Sequence, residues 1–256
     1  MTAVNTGEPS RVPTTGLGKI AAGPVTVFHH VPKCGGTSLL AVLQRWYTVC
    51  RDYRQGWAQE FGPPLDLTAL DGRHCLCGHF DGPENRLAVR YPEIFQSPRF
   101  RCVTVVRDPL SLVLSLYRWE GRMGVRREDV LDRYLMGHVG FLADALGAGP
   151  DNWRAVLDRY IFIGLQERLE ETVTLLAHRL GKPRVALPRL NVTDPRGRAP
   201  HRRRLSAETV ARFRAANRLD EAIYTACLRR FALETRPPVD YSECSFKKPE
   251  MRMKAQ

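Results

Sequence analysis

Apolar positions along the chain fall into short continuous runs separated by longer stretches with helical spacing. Val25 to His30 is a β-branched, aromatic-flanked run of the kind that forms a buried strand. Thr37 then opens a helical pattern with Leu39, Leu40, Val42, Leu43 and Trp46 on one face. The stretch Arg45 to Arg73 reads as irregular, its Tyr47, Tyr53, Trp57 and Phe61 scattered among Gly and Pro. Cys75 to Phe80 is expected as a second strand. Phe100 to Val106 is expected as a third, nearly all apolar as in a parallel strand buried on both faces. Asp108-Pro109 starts another helix, with Pro in its tolerated first turn. Val125 to Tyr160 reads as a mostly helical insert with a Gly-rich break near 147–149, and Tyr160 to Gly164 as a fourth strand. Leu165, Leu169, Val173, Leu176 and Leu180 mark an amphipathic helix stopped at Gly181-Lys182-Pro183. A basic loop, Arg196 to Arg204, precedes a final helical stretch from Ser206 to about Leu233.

Strands alternating with helices predict an α/β domain with a mostly parallel sheet. Ligands in such sheets bind at the carboxyl ends of the strands. Both chemically informative segments, Val31 to Gly36 and Arg107 to Pro109, fall there. Residues 1–22, rich in Gly, Pro, Thr and Ala, read as a flexible leader, 23–235 as one domain, and 236–256 as a polar tail.

Composition adds an anionic partner to this picture. The 256 residues carry a net charge of +12, and 33 of the 39 basic residues are Arg. A nucleotide, an acidic glycan, a nucleic acid or a membrane surface would each satisfy it, as would a plain solvated basic surface. Seven cysteines form no C-x-x-C pair and read as reduced thiols of a cytoplasmic protein. No apolar run has the length of a membrane span, and no signal-peptide pattern opens the chain. Asn191-Val192-Thr193 matches a glycosylation sequon, without weight in that compartment. A nucleic-acid partner is not expected, because no aromatic-interleaved basic element accompanies the charge.

The segment His30-Val31-Pro32-Lys33-Cys34-Gly35-Gly36-Thr37-Ser38 suits phosphate binding. Gly35 and Gly36 let the backbone approach an anion, the following helix offers unpaired N–H groups, and Lys33, Thr37 and Ser38 add a charge and two hydroxyls. A Gly turn beside an incidental Lys is the plain alternative. A Walker A loop is not, because there Lys follows the last Gly. The segment resembles the His-Ile-Pro-Lys-Thr-Gly-Gly-Thr-Ser motif of PAPS-dependent sulfotransferases, in the carbohydrate group that includes heparan sulfate 2-O-sulfotransferase. PAPS is 3′-phosphoadenosine 5′-phosphosulfate. The resemblance implies a P-loop-like three-layer α/β/α fold, PAPS as co-substrate with PAP as product, no metal, and a hydroxyl-bearing acceptor such as a glycan or a glycosylated small molecule. It also implies that Lys33, Cys34, Gly35, Gly36, Thr37 and Ser38 grip the 5′-phosphosulfate. Cys34 stands where the family has Thr.

Arg107-Asp108-Pro109 followed by Ser115 resembles the family's second signature, in which the Arg and Ser hold the 3′-phosphate. A planar guanidinium suits that group. Leu112 stands where the family often has a further Arg. Cys77-Gly78-His79-Phe80 is similar to the family's Gly-His-Val element, which makes His79 the expected base and Lys33 the cation for the leaving oxygen. His138, in Gly137-His138-Val139-Gly140, looks alike locally but follows the wrong signature in chain order. His74, Cys75, Cys77 and His79 could be read as metal ligands, but on a strand His74 points away from the other three. Arg196, Arg198 and Arg202 are expected in a flap over the donor, or as a solvated loop. Two other readings stay open beside sulfuryl transfer: a P-loop-like kinase, and a non-enzymatic binder of acidic glycan or nucleic acid.

Overall fold

Parallel pairing of strands far apart in sequence carries the core. The computed structural model describes residues 23–54, 60–187 and 205–235. Among these, β1 (Val25–His29), β2 (Thr48–Asp52), β3 (His74–Gly78), β4 (Phe100–Val106) and β5 (Phe162–Leu165) form one sheet in the order β2-β3-β1-β4-β5. Every neighbouring pair is parallel, with Phe28 opposite both Cys77 and Val103. Every residue of β1 and of β5 is buried. Since successive strand residues point to opposite faces, helices cover both faces of the sheet, and the three-layer α/β/α expectation holds.

The helices begin and end where their caps dictate. α1 (Gly36–Trp46) follows β1, and the four-residue α2 (Leu87–Arg90) lies between β3 and β4. α3 (Pro109–Met123) starts with the Asp108 carboxylate accepting from the Ser111 N–H at 2.9 Å and stops at left-handed Gly124, φ 70°. The insert holds three short helices, α4 (Leu131–Met136), α5 (Phe141–Leu146) and α6 (Trp153–Asp158), with Gly140 and Gly147 at the ends of α5. α7 (Leu169–Leu180) ends at Gly181 as expected. The last stretch is two helices, α8 (Ala207–Ala216) and α9 (Arg218–Glu234), broken at Asn217.

One strand departs from the sequence reading. β2 lies in the stretch expected to be irregular, so the strand expected second is the third. The cause is physical: β2 is an edge strand, its Thr48 and Arg51 are exposed, and it offers neither a continuous apolar run nor clean alternation. Its far end is held instead by a buried ion pair. Arg90 donates to both Asp52 carboxylate oxygens at 2.6 and 2.9 Å, and the Tyr91 hydroxyl donates to the same group at 2.7 Å. Arg196, Arg198 and Arg202, with the leader and the tail, lie outside the described residues.

Candidate active site

The chain leaves β1 toward one edge of the sheet and leaves β4 toward the other, so the crevice outside their carboxyl ends is the topological switch point. A cleft of about 1660 Å³ opens there. Single-ligand pockets are usually about 300–1,000 Å³, so this one has room for a nucleotide and a second molecule.

The loop from Val31 to Gly35 forms one wall. Lys33 adopts a left-handed conformation, φ 63°, and Gly35 does too, φ 78°, which turns the backbone into the first turn of α1. A methyl group on Gly35 would meet Leu169 at 3.1 Å. The N–H groups of an 11-residue helix's first turn thus face a cleft lined by Gly35, Gly36, Thr37 and Ser38. The Lys33 ammonium lies 5.0 Å from the Trp119 ring centroid. Burial, then Arg122 and Arg107, lower its pKa from the usual lysine value.

Cys34 departs from its expected role. Its side chain is 1% exposed and packs into the core, where burial raises the thiol pKa, and its N–H turns back to the Val31 carbonyl at 3.4 Å. Its side chain is therefore not part of the cleft lining, unlike Lys33 and Gly35 on either side of it.

From β4, Arg107 donates through Nη1 to the Lys33 carbonyl at 3.1 Å. Its buried Nε–H has no hydrogen-bond partner among the described residues. An orphaned guanidinium N–H beside a helix N-terminus fits an incoming anion. Ser115 lines the same cleft two turns into α3, while Leu112 is fully buried below it. Asp108 is committed elsewhere, its other oxygen accepting from Arg214 at 3.1 Å. Burial raises its pKa, but the Ser111 and Arg214 hydrogen bonds outweigh that and leave it lowered.

His79 follows β3 on the other side of the loop. Its Nδ1–H donates to the His30 carbonyl at 2.6 Å, which leaves Nε2 as the lone-pair nitrogen. Burial lowers its pKa, against the pull of the His30 carbonyl and Asp81, so the ring is neutral at neutral pH. His138, set aside on chain order, lines the cleft as well. Its Nδ1–H donates to the Tyr134 carbonyl at 2.8 Å and its ring stacks on Tyr134. His74 is at the opposite end of β3 from His79 and shares a 2.7 Å contact with Asp71. No group of three or more metal-ligating side chains occurs among the described residues.

His30, from the phosphate-binding segment, and Tyr53, from an aromatic stretch expected to shape the acceptor site, line the cleft, whereas Trp119 and Arg122 escaped the sequence reading. Trp119 and Arg122 stand four and seven residues after Ser115, the spacing of one helix face, and that periodicity was there to be used. His30 and Tyr53 pack against His79, with ring centroids at 4.1 and 4.9 Å.

No family model and no curated protein matches the chain. Among solved structures, it is similar to a sulfotransferase from Alicyclobacillus acidocaldarius, at 14% identity over 84% of this chain and 100% of that one, with a TM-score of 0.49. It is also similar to a mouse sulfotransferase complexed with PAP, at 11% identity over 76% of this chain and 64% of that one, with a TM-score of 0.41.

Proposed function

We propose that the chain transfers a sulfuryl group from PAPS to a hydroxyl-bearing acceptor. The observation that carries this reading is the convergence on one cleft of the Lys33–Ser38 loop, the unsatisfied Arg107 Nε–H and the oriented ring of His79. The α1 N-terminus and Lys33 bind the 5′-phosphosulfate end, and Arg107 with Ser115 binds the 3′-phosphate. His79 Nε2 takes the acceptor hydroxyl's proton as that oxygen bonds to sulfur. The bond from sulfur to the bridging phosphate oxygen breaks, and the electron pair leaves on that oxygen beside the Lys33 ammonium. Products are the sulfate ester and PAP, and the proton passes from His79 to solvent. Positioning and charge placement supply the rate.

His79 is preferred to His138 as base because its ring is bonded to the His30 carbonyl, at the start of the Lys33 loop, whereas His138 is bonded to Tyr134 in the helical insert. A kinase reading is less favoured. Lys33 precedes the glycines, and both oxygens of Asp108 are taken by Ser111 and Arg214 rather than open to magnesium. The glycan class of the acceptor rests on the motif resemblance, as does a donor flap carrying Arg196, Arg198 and Arg202. The experiment is transfer from sulfur-labelled PAPS across a panel of glycans, glycosylated small molecules and simple alcohols. Labelled ester is expected with the wild type and a loss of at least about 100-fold with His79→Ala. Full activity in that variant would remove His79 from the chemistry.

A further inference from the structure

We propose that Tyr53 and His30 are positioning residues that hold the His79 imidazole on line for the acceptor hydroxyl, a role that rests on the sulfuryl-transfer reading above. Strand register brings the three together. Gly78 of β3 lies opposite His29 of β1 and opposite Asp52 of β2. The next residues, His30, Tyr53 and His79, therefore stand side by side where the strands end.

Each contact constrains the ring of His79 without using Nε2. The His30 carbonyl accepts its Nδ1–H, the His30 ring lies 4.1 Å away, and the Tyr53 ring meets it edge to face at 4.9 Å. His30 is in turn held by its own contacts. Its Nδ1 shares a 2.9 Å hydrogen bond with the Tyr53 hydroxyl, Phe28 stacks on it at 5.4 Å, and Gly36 presses so close that a methyl carbon there would sit 1.7 Å from its Nε2. Tyr53 is anchored from below by Cys77, its hydroxyl 2.9 Å from Sγ. Cys77 is fully buried in β3. The linkage thus runs from the sheet interior through Tyr53 and His30 to the ring proposed to take the proton.

The charged and titratable groups that act on His79 are few. Burial and Lys33 disfavour its protonation, while the His30 carbonyl and Asp81 favour it. Asp81 is itself 3.6 Å from Arg54. Burial, and after it the charge that a protonated His79 would carry, lowers the pKa of both His29 and His30. An imidazole freed from this packing would rotate about its ring axis and exchange tautomers, and misplacement by about 1 Å is enough to lose on the order of 100-fold in rate.

The test uses the full chain with Tyr53→Phe, which keeps both rings and removes the hydroxyl, and His30→Asn, whose amide can still reach the Tyr53 oxygen. Three quantities are read: PAP affinity, kcat against pH for PAPS with an acceptor found in the panel, and nitrogen NMR shifts of the His79 ring. In Tyr53→Phe, PAP affinity is expected to stay within about twofold, while kcat falls about 10- to 100-fold. Its His79 signals are expected to change from one tautomer to a mixture. His30→Asn, which keeps a partner for the Tyr53 hydroxyl, should lose less kcat than Tyr53→Phe. Unchanged kcat and unchanged His79 signals in both variants would overturn the proposal. So would a fall in PAP affinity that tracks the loss of kcat, which would make the pair simple scaffold. If the wild type transfers no sulfuryl group yet the His79 signals shift as expected, the positioning stands and the reaction assigned to the site fails.

Discussion

Replacing Gly36 by Ala places a methyl carbon 1.7 Å from Nε2, 2.0 Å from Cδ2 and 2.6 Å from Cε1 of His30. Ordinary contact begins at 3.4 Å, so the ring or the start of α1 must give way by about 1.7 Å. Gly36 has no positive φ, so the backbone itself tolerates a side chain. Helix propensity even favours Ala, by up to about 1 kcal/mol in a helix interior and less at a first residue. The cost is therefore steric. His30 is packed against Phe28, Tyr53 and His79, so the ring can yield only toward the cleft by breaking these contacts. Forcing a methyl into such a site costs about 1–3 kcal/mol, and losing the bond to Tyr53 adds about 1 kcal/mol. The net expectation is a destabilisation of about 2–3 kcal/mol, or a Tm lowered by roughly 5–10 °C. Urea unfolding of Gly36→Ala, His30→Ala and the double variant isolates the collision. With the ring already gone, the second substitution should change stability by less than about 0.5 kcal/mol, giving a coupling energy of about 2 kcal/mol or more. If Gly36→Ala is harmless in the wild type, or costs as much without His30 as with it, the packing of this ring has been misread.

Other consequences can be measured separately. kcat/KM should rise with pH along an acid limb centred below 6.5, where His79 loses its proton, and fall along an alkaline limb centred below 10.5, where Lys33 does. A limb above either value would contradict the burial assigned to that group. Burial also holds the pKa of His29 at about 3 against 6.5 in the unfolded chain. The unfolded chain thus binds a proton below 6.5 that the native protein refuses, and stability is lost as pH falls from 6.5 toward 3. The loss from this group is on the order of 5 kcal/mol at most. Urea midpoints at pH 7.5 and 5 should differ clearly for the wild type and by less for His29→Asn. Asp220 of α9, 1% exposed, accepts from the Leu142 and Ala143 N–H groups at 2.9 Å each and so caps α5, which lines the cleft. Asp220→Ala leaves two buried donors unpaired and should cost about 2–4 kcal/mol in urea unfolding; a cost under about 1 kcal/mol would show that the cap is dispensable.

What could be read in the chain follows from how locally each feature is encoded. β4 was legible to the residue because burial on both faces needs an unbroken apolar run, Phe100 to Val106. β2 was not, because an edge strand of five residues is specified by its pairing with β3 and by the Arg90–Asp52 pair, both remote in sequence. The same holds for the site. The Gly-Gly loop and the Arg107–Ser115 spacing are local patterns and could be recognised. Tyr53 and His30 reach His79 only through the register of three parallel strands, which no local pattern declares. Cys34 shows the converse: residue type marked it as a departure, and only the fold showed that its side chain packs into the core.

The central claim is that the cleft between β1 and β4 holds a nucleotide by its 3′-phosphate. The most direct measurement is thermal stabilisation of the wild type and Arg107→Ala by PAP, by 5′-AMP, and by ATP with magnesium. PAP should raise the wild-type Tm well above the effect of the other two, by roughly 5–10 °C at 100 times its Kd. In Arg107→Ala, PAP and 5′-AMP should become nearly equivalent. Stabilisation by ATP with magnesium but not by PAP, or a PAP preference untouched by loss of Arg107, would contradict the account.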